Sequence, residues 1–252
     1  MAQGARKRKS VRKPGSGPRR PTLRYEKTCW AQGYRLVAGV DEVGRGSLFG
    51  PVVAAAVILD PQRPIRGLQD SKLLDAASRE ALSLRIRERA LAVSVAAADS
   101  GRIDFLNIYQ ASRQAMRDAV QGLRPRPDFV LIDAMRLDVD PPQLPIIDGD
   151  AQSRSIAAAS IVAKVERDHW MRLWDAVFPQ YGLASNKGYS APGHMAALAK
   201  HGPTPLHRLS FEPVARAARF AAAFPDGQLS LFGEPAGASP AAELGAATHA
   251  LD

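Results

Sequence analysis

Val37-Ala38-Gly39-Val40-Asp41-Glu42-Val43-Gly44-Arg45-Gly46 is the stretch on which the reading of the fold turns. Leu36 to Val40 is a short apolar run, and it stops at two adjacent carboxylates. A second apolar run, Val52 to Leu59, closes on Asp60-Pro61. Both read as buried strands, joined by the glycine-rich turn from Gly44 to Gly50.

Working outward, residues 76–90 carry helical spacing, and Leu91 to Ala97 reads as a strand. One helix is expected over 102–122, marked by Ile103, Leu106, Met116 and Val120. Phe129 to Ile132 is a third buried strand, ending in Asp133, and Leu144 to Ile147 is a short one. Residues 153–176 are alanine-rich and free of Gly and Pro, the strongest helix signal in the chain, and a shorter helix is expected over 193–200. Strands come first and then alternate with helices. That order argues an α/β domain with a mixed central sheet flanked by packed helices.

The chain has 252 residues and a formal net charge of +9. Eight cations lie within the first twenty residues with no acid among them, so the remaining chain is nearly neutral. The basic character therefore belongs to a tail, not to the domain. Three units are expected: a disordered basic tail over 1–23, a catalytic domain over 24–220 and a disordered tail over 221–252. Eight clustered cations would add sequence-independent affinity for nucleic acid by counterion release. No apolar run is long enough to span a bilayer, which excludes a helical membrane protein. The single cysteine, Cys29, cannot form an internal disulfide and suits a reducing cytoplasm.

Three carboxylates stand where carboxylates are costly. Asp41 and Asp133 each follow directly on an apolar strand, and Asp168 shares a helix face with Ile161, Val165 and Met171. Two strand ends and one helix can converge at the rim of a sheet, where hard oxygen ligands suit Mg²⁺ or Mn²⁺. Glu42 can join them only if the chain leaves the strand at this point, because consecutive strand residues face opposite sides. The alternative is plain: strands often end in Asp before a turn, and Lys164 can pair with Asp168 one helical turn away. No histidine or cysteine spacing suggests zinc, and no Walker-type loop is present.

At these residues the sequence resembles the ribonuclease HII family. The match continues in family order through Gly67-Leu68-Gln69-Asp70-Ser71-Lys72 and Val130-Leu131-Ile132-Asp133. It then runs through Ser155 to Ile161, Ala163-Lys164-Val165-Glu166-Arg167-Asp168 and Phe178-Pro179-Gln180-Tyr181-Gly182. Lys187-Gly188-Tyr189 and Gly202-Pro203-Thr204-Pro205-Leu206-His207-Arg208 complete it. The resemblance implies a ribonuclease H-like fold. It implies catalysis by Asp41, Glu42, Asp133 and Asp168 holding two Mn²⁺ or Mg²⁺ ions. The implied activity is hydrolysis of RNA in an RNA–DNA hybrid and 5′ of single ribonucleotides in duplex DNA, leaving a 3′-hydroxyl and a 5′-phosphate. It assigns Gly44, Arg45 and Gly46 to reading the 2′-hydroxyl, and Tyr189 to stacking on the following deoxyribose. Arg45, Lys72 and Lys187 are candidate phosphate contacts, set against the reading of such cations as solvated surface charge.

Three departures from the family pattern stand out. Asp148 replaces a usual lysine, Ala191 replaces a usual threonine, and Ser47 replaces a frequent proline, the last expected to be without consequence. In the tail, Gln228-Leu229-Ser230-Leu231-Phe232 resembles the short peptide by which bacterial replication and repair proteins bind the sliding clamp. Gln228, Leu229, Leu231 and Phe232 are its candidate contacts. The enzyme is expected to act as a monomer. The competing classes are another ribonuclease H-like nuclease, such as ribonuclease HIII or a structure-specific DNA nuclease, and a non-catalytic nucleic-acid-binding protein.

Overall fold

The computed structural model describes residues 20–223, so the basic tail to residue 19 and the clamp-like peptide at 228–232 lie outside the described residues. Five strands form one sheet: β1 (Val37–Val43), β2 (Val52–Ile58), β3 (Ala92–Ala98), β4 (Phe129–Asp133) and β5 (Gln143–Ile146). Their order is β3-β2-β1-β4-β5. The first three run antiparallel to their neighbours, while β1–β4 and β4–β5 are parallel. β5 is an edge strand, which is where its Pro145 does no harm to the ladder.

Helices cover both faces. On one side α4 (Ile108–Gln121) presents Ala111, Ala115, Met116 and Ala119 to Ala38, Val40, Ala54 and Ala56. On the other, α5 (Arg154–Val177) and α2 (Ala76–Arg89) enclose Ala55 and Val57 with Ala157, Ala158, Ile161 and Ile86. The small residues bring α5 close. At Gly39 a Cβ would sit 2.1 Å from the Ser155 carbonyl carbon, so helix backbone touches strand backbone there. No described helix is long and apolar enough to cross a membrane.

Several boundaries differ from expectation, each for a local reason. The single helix expected over 102–122 is two, α3 (Ser100–Leu106) and α4. They are broken at Asn107, whose φ is 76° and whose side chain accepts from Gln110 N at 3.1 Å. Asparagine tolerates the left-handed region and caps the next helix, so one residue does both tasks. Order begins before residue 24, since Thr22 bridges to Ser153. Next comes an unexpected helix, α1 (Arg24–Ala31), which buries Glu26 and Cys29 and packs Tyr25 and Trp30 against the core. At the other end α8 (Glu212–Ala223) passes the expected boundary at 220 by three residues.

Glu26 explains where α5 starts. Its Oε1 accepts from Ser153 Oγ at 2.7 Å, Ser155 N at 2.9 Å and Ser155 Oγ at 2.7 Å. Ser153 is the N-cap and also accepts from Ile156 N. A buried carboxylate at the positive end of a helix is well placed electrostatically, and here it satisfies donors the helix itself cannot.

Candidate active site

The strand does not end before the carboxylates. β1 continues to Val43, with Asp41 opposite Ala55 and Glu42 opposite Ala54. The chain therefore does not leave the strand at Glu42. Gly39 faces α5, so Asp41 does too, and Glu42 points to the α4 side. Asp133 ends the neighbouring parallel strand at the same rim, close enough for its charge to act on both. The rim is met from both faces of the sheet at once.

Electrostatically the rim is under stress. Burial, followed by the charges of Glu42, Asp133 and Asp150, pushes Asp41 well above the usual carboxylate range. Burial also raises Glu42, with Arg45 opposing and Asp133 adding. Asp133 is raised by burial against a hydrogen bond from Gly149 N at 2.7 Å. Glu42 Oε2 is buried with no hydrogen-bond partner, while Oε1 lies 3.4 Å from Arg45 Nη1. Asp150 is a fourth acid here that sequence reasoning missed. It is buried, raised by burial and by Asp70, and 3.5 Å from Lys72 Nζ. Asp148, in place of the usual lysine, adds a further negative charge that acts on Asp133.

Asp168 stands apart from this group. Lys164 Nζ lies 2.6 Å from its Oδ1 and Arg79 Nη2 3.9 Å from its Oδ2, so the i,i+4 pair weighed from sequence is present. Among the described residues no three His, Cys, Asp or Glu side chains converge on one point. The charges of Asp41, Glu42 and Asp133 act on one another at the rim without the side chains converging on one point, and Asp168 is held by Lys164 and Arg79. Hard oxygen donors, an orphaned buried carboxylate oxygen and crowded like charges are what a divalent cation would relieve.

Among the expected substrate residues, Gly44 and Tyr189 both meet Arg167, and Gly46 lies beside Tyr189. Gly44 has φ +95°, and a Cβ there would meet Arg167 Nε at 2.2 Å, so only glycine fits. A Cβ added at Gly46 would meet nothing nearer than Tyr189 Cε1, at 3.9 Å. A side chain at Gly46 would therefore touch the partly exposed Tyr189 ring at ordinary van der Waals distance. Arg45 is partly exposed, Lys72 is largely exposed, and Lys187 Nζ donates to the Ala184 carbonyl.

Two fully buried arginines tie these loops together, and sequence reasoning missed both. Arg167 donates to Pro51 O (3.1 Å), Lys187 O (2.9 Å), Ser47 Oγ (2.7 Å) and Phe49 O (3.0 Å). Its guanidinium also lies 5.6 Å from the centre of the Tyr189 ring. Arg208 donates to Gly50 O and Arg45 O, both at 2.9 Å. Burial and the Arg167 charge pull Arg208 down to about 9, which leaves it charged at neutral pH. Ser47 is corrected here. Its hydroxyl accepts from Arg167 and donates to Phe49 O at 2.9 Å, a link that proline could not make.

Residues 38–214 match the family described as Ribonuclease HII. A ribonuclease HII of Solibacter usitatus (strain Ellin6076) is 58% identical over 226 residues, covering 90% of this chain and 98% of the relative. The crystal structure of the ribonuclease H2 from Pyrococcus horikoshii OT3 superposes with a TM-score of 0.66 at 25% identity, over 74% of this chain and 98% of that one. The enzyme in the PCNA:RNase HII complex from Archaeoglobus fulgidus gives 0.61 at 25% identity, over 72% and 96%. The fold is the expected ribonuclease H-like one, and the chain belongs to the ribonuclease HII family of ribonuclease H hydrolases.

Proposed function

We propose that the enzyme hydrolyses the RNA strand of RNA–DNA hybrids and cuts on the 5′ side of single ribonucleotides in duplex DNA. The observation that supports this is the close approach of Gly46 to the partly exposed Tyr189 ring, on the segment that directly follows Asp41 and Glu42. A sugar approaching Gly44 and Gly46 would meet backbone at both positions. That is the contact a 2′-hydroxyl needs to be told from hydrogen. Tyr189 would stack on the next, deoxy sugar.

Asp41, Glu42, Asp133 and Asp168 would hold Mg²⁺ or Mn²⁺, with Asp168 exchanging its bond to Lys164 for the ion. When bound, such ions supply a nucleophilic water and offset charge on the leaving oxygen. In the hydrolysis the water oxygen bonds to phosphorus and the bond to the upstream 3′-oxygen breaks. A proton ends on that oxygen, leaving a 3′-hydroxyl and a 5′-phosphate. Arg45, Lys72 and Lys187 would meet the flanking phosphates, and Arg167 would hold the cleft loops still.

The test is a duplex with one embedded ribonucleotide, beside a long RNA–DNA hybrid and an all-DNA control, with Mg²⁺, Mn²⁺ or chelator. Metal-dependent cleavage 5′ of the ribonucleotide, with the all-DNA duplex intact, is expected. Cleavage of all-DNA duplex, or binding without cleavage under every metal, overturns the reading in favour of the two competing classes.

The peptide Gln228 to Phe232 would tether the enzyme to a sliding clamp in the bacterial cytoplasm. A relative solved as a complex with PCNA supports this. Titrating the full chain against a bacterial clamp should show binding that Leu231→Ala/Phe232→Ala abolishes. Equal binding by that variant removes the tether.

A further inference from the structure

Behind Tyr189 a row of polar groups runs into the protein. The Tyr189 carbonyl oxygen lies 2.9 Å from His194 Nδ1. His194 Nε2 lies 3.2 Å from His207 Nε2. His207 Nδ1 lies 2.9 Å from Thr204 N and 3.0 Å from the Thr204 hydroxyl. Both imidazoles are buried, at 0% and 1% exposure, so water cannot complete or reverse the row.

The two ends fix its direction. A backbone N–H only donates and a carbonyl only accepts. Thr204 N–H donates to His207 Nδ1, which therefore carries no proton. Neutral His207 then has its proton on Nε2, directed at His194 Nε2. That nitrogen must be bare, so the His194 proton is on Nδ1 and donates to Tyr189. Two protons satisfy every bond in one arrangement. A third would set two N–H groups against each other, either between the rings or at Thr204.

The surroundings favour that neutral arrangement. Tyr181 packs against both rings, centroids 4.9 Å from His207 and 6.0 Å from His194, but its hydroxyl donates to Gly202 O instead. Phe49 meets His207 edge-on at 4.9 Å, and His201 lies on the far side of Tyr181. The nearest cation by sequence, Arg208, is committed to the Gly50 and Arg45 carbonyls. Burial first, and then the His194 ring, push His207 down to about 4, and burial lowers His194 as well.

The far end of the row is where this matters. The Tyr189 carbonyl accepts a second bond from Ala191 N at 2.8 Å, so it is held from two sides. Its ring faces Gly46 and rests over Arg167. We propose that His194 and His207 are positioning residues, forming a one-way hydrogen-bond relay from Thr204 that fixes the Tyr189 peptide and so sets its ring in the substrate cleft. This rests on the reading of Tyr189 as the residue that meets the sugar after the ribonucleotide.

Two measurements on the full chain test it. Long-range ¹⁵N–¹H correlation spectra near neutral pH should show His194 as the Nδ1–H tautomer and His207 as the Nε2–H tautomer. The opposite pair, or averaged tautomers, overturns the relay without reference to activity. The second compares His194→Leu, which removes the donor to Tyr189, with His194→Asn, whose amide can replace it. His194→Leu should lower cleavage at a single ribonucleotide by about tenfold and cleavage of a long hybrid by about twofold or less. His194→Asn should recover most of the loss, and neither change should add to Tyr189→Ala. Equal losses for Leu and Asn, or a full further loss in the Tyr189→Ala background, overturn the relay. If Tyr189→Ala affects both substrates alike, it is the reading of Tyr189 that fails, and the tautomers still decide the relay.

Discussion

The rim of carboxylates and the buried frame behind the cleft are neighbours built on opposite terms. At the rim, Asp41 and Asp150 are buried and Glu42 and Asp133 partly buried, their charges acting on one another, and one Glu42 oxygen has no partner at all. In the frame, Arg167 spreads four hydrogen bonds over three carbonyls and a hydroxyl, and the histidine row satisfies every nitrogen. The rim gives up stability to keep several negative charges side by side. The frame supplies stability and geometry. An unpartnered buried atom is present in both regions, Glu42 Oε2 at the rim and Arg208 Nη2 in the frame, but only the rim adds crowded like charges to it.

The sharpest way to break this comparison is Asp41→Asn. A neutral amide binds a hard cation poorly, so cleavage should fall by about a hundredfold or more. The melting temperature should hold or rise, because a crowded buried charge is gone. Ribonucleotide cleavage and thermal melts check both, and near-normal cleavage by the metal-loaded variant removes Asp41 from the mechanism. Arg167→Met is the converse. It strands several buried acceptors and should cost about 3–5 kcal/mol in urea unfolding. A loss under about 1 kcal/mol would mean that the frame rehydrates freely.

Acid should separate the regions by sign. His207 titrates near 4 when folded against 6.5 when free, so between those values the unfolded chain binds the extra proton. Its contribution is complete above 6.5 and fades as pH falls towards 4, up to about 3 kcal/mol. The rim carboxylates are raised on folding, so there the folded chain binds the extra protons and acid helps. Urea unfolding across this window should therefore fall more steeply in Asp41→Asn than in the parent. Identical slopes would show that the rim contributes nothing. The smallest effect belongs to Ala191. It is the N-cap of α7 (Pro192–His201) and makes no side-chain cap. Ala191→Thr should add about 0.5–1 kcal/mol, with destabilisation in the same assay as the contrary result.

The same contrast decides what was legible in the sequence. Asp41 and Asp133 are visible because a charge after an apolar run is a local anomaly. The strands and α5 are visible because their periods are regular. Arg167 was hidden because Lys164 to Asp168 reads as an ordinary charged helix surface. One signal was available: Arg167 stands four residues after Ala163 and four before Met171, and all three are buried. No such pattern announces Glu26, whose partners at Ser153 and Ser155 are over a hundred residues away. Its meaning exists only once α1 is docked. The histidine row is likewise assembled from two loops and a helix, and tautomers are set by neighbours that a sequence does not order in space.

The contact between Gly39 and Ser155 has a mechanical consequence. Thirteen residues of α5 separate Ser155 from Asp168, a rigid arm of about 20 Å. The arm is seated near one end on strand backbone, with no side chain between to act as a shim. A tilt of about 3° at that seat would swing Asp168 by about 1 Å, the size of misplacement that matters if Asp168 holds an ion as proposed. One methyl group at Gly39 is therefore a disturbance at the fulcrum, amplified at the tip that carries the acid.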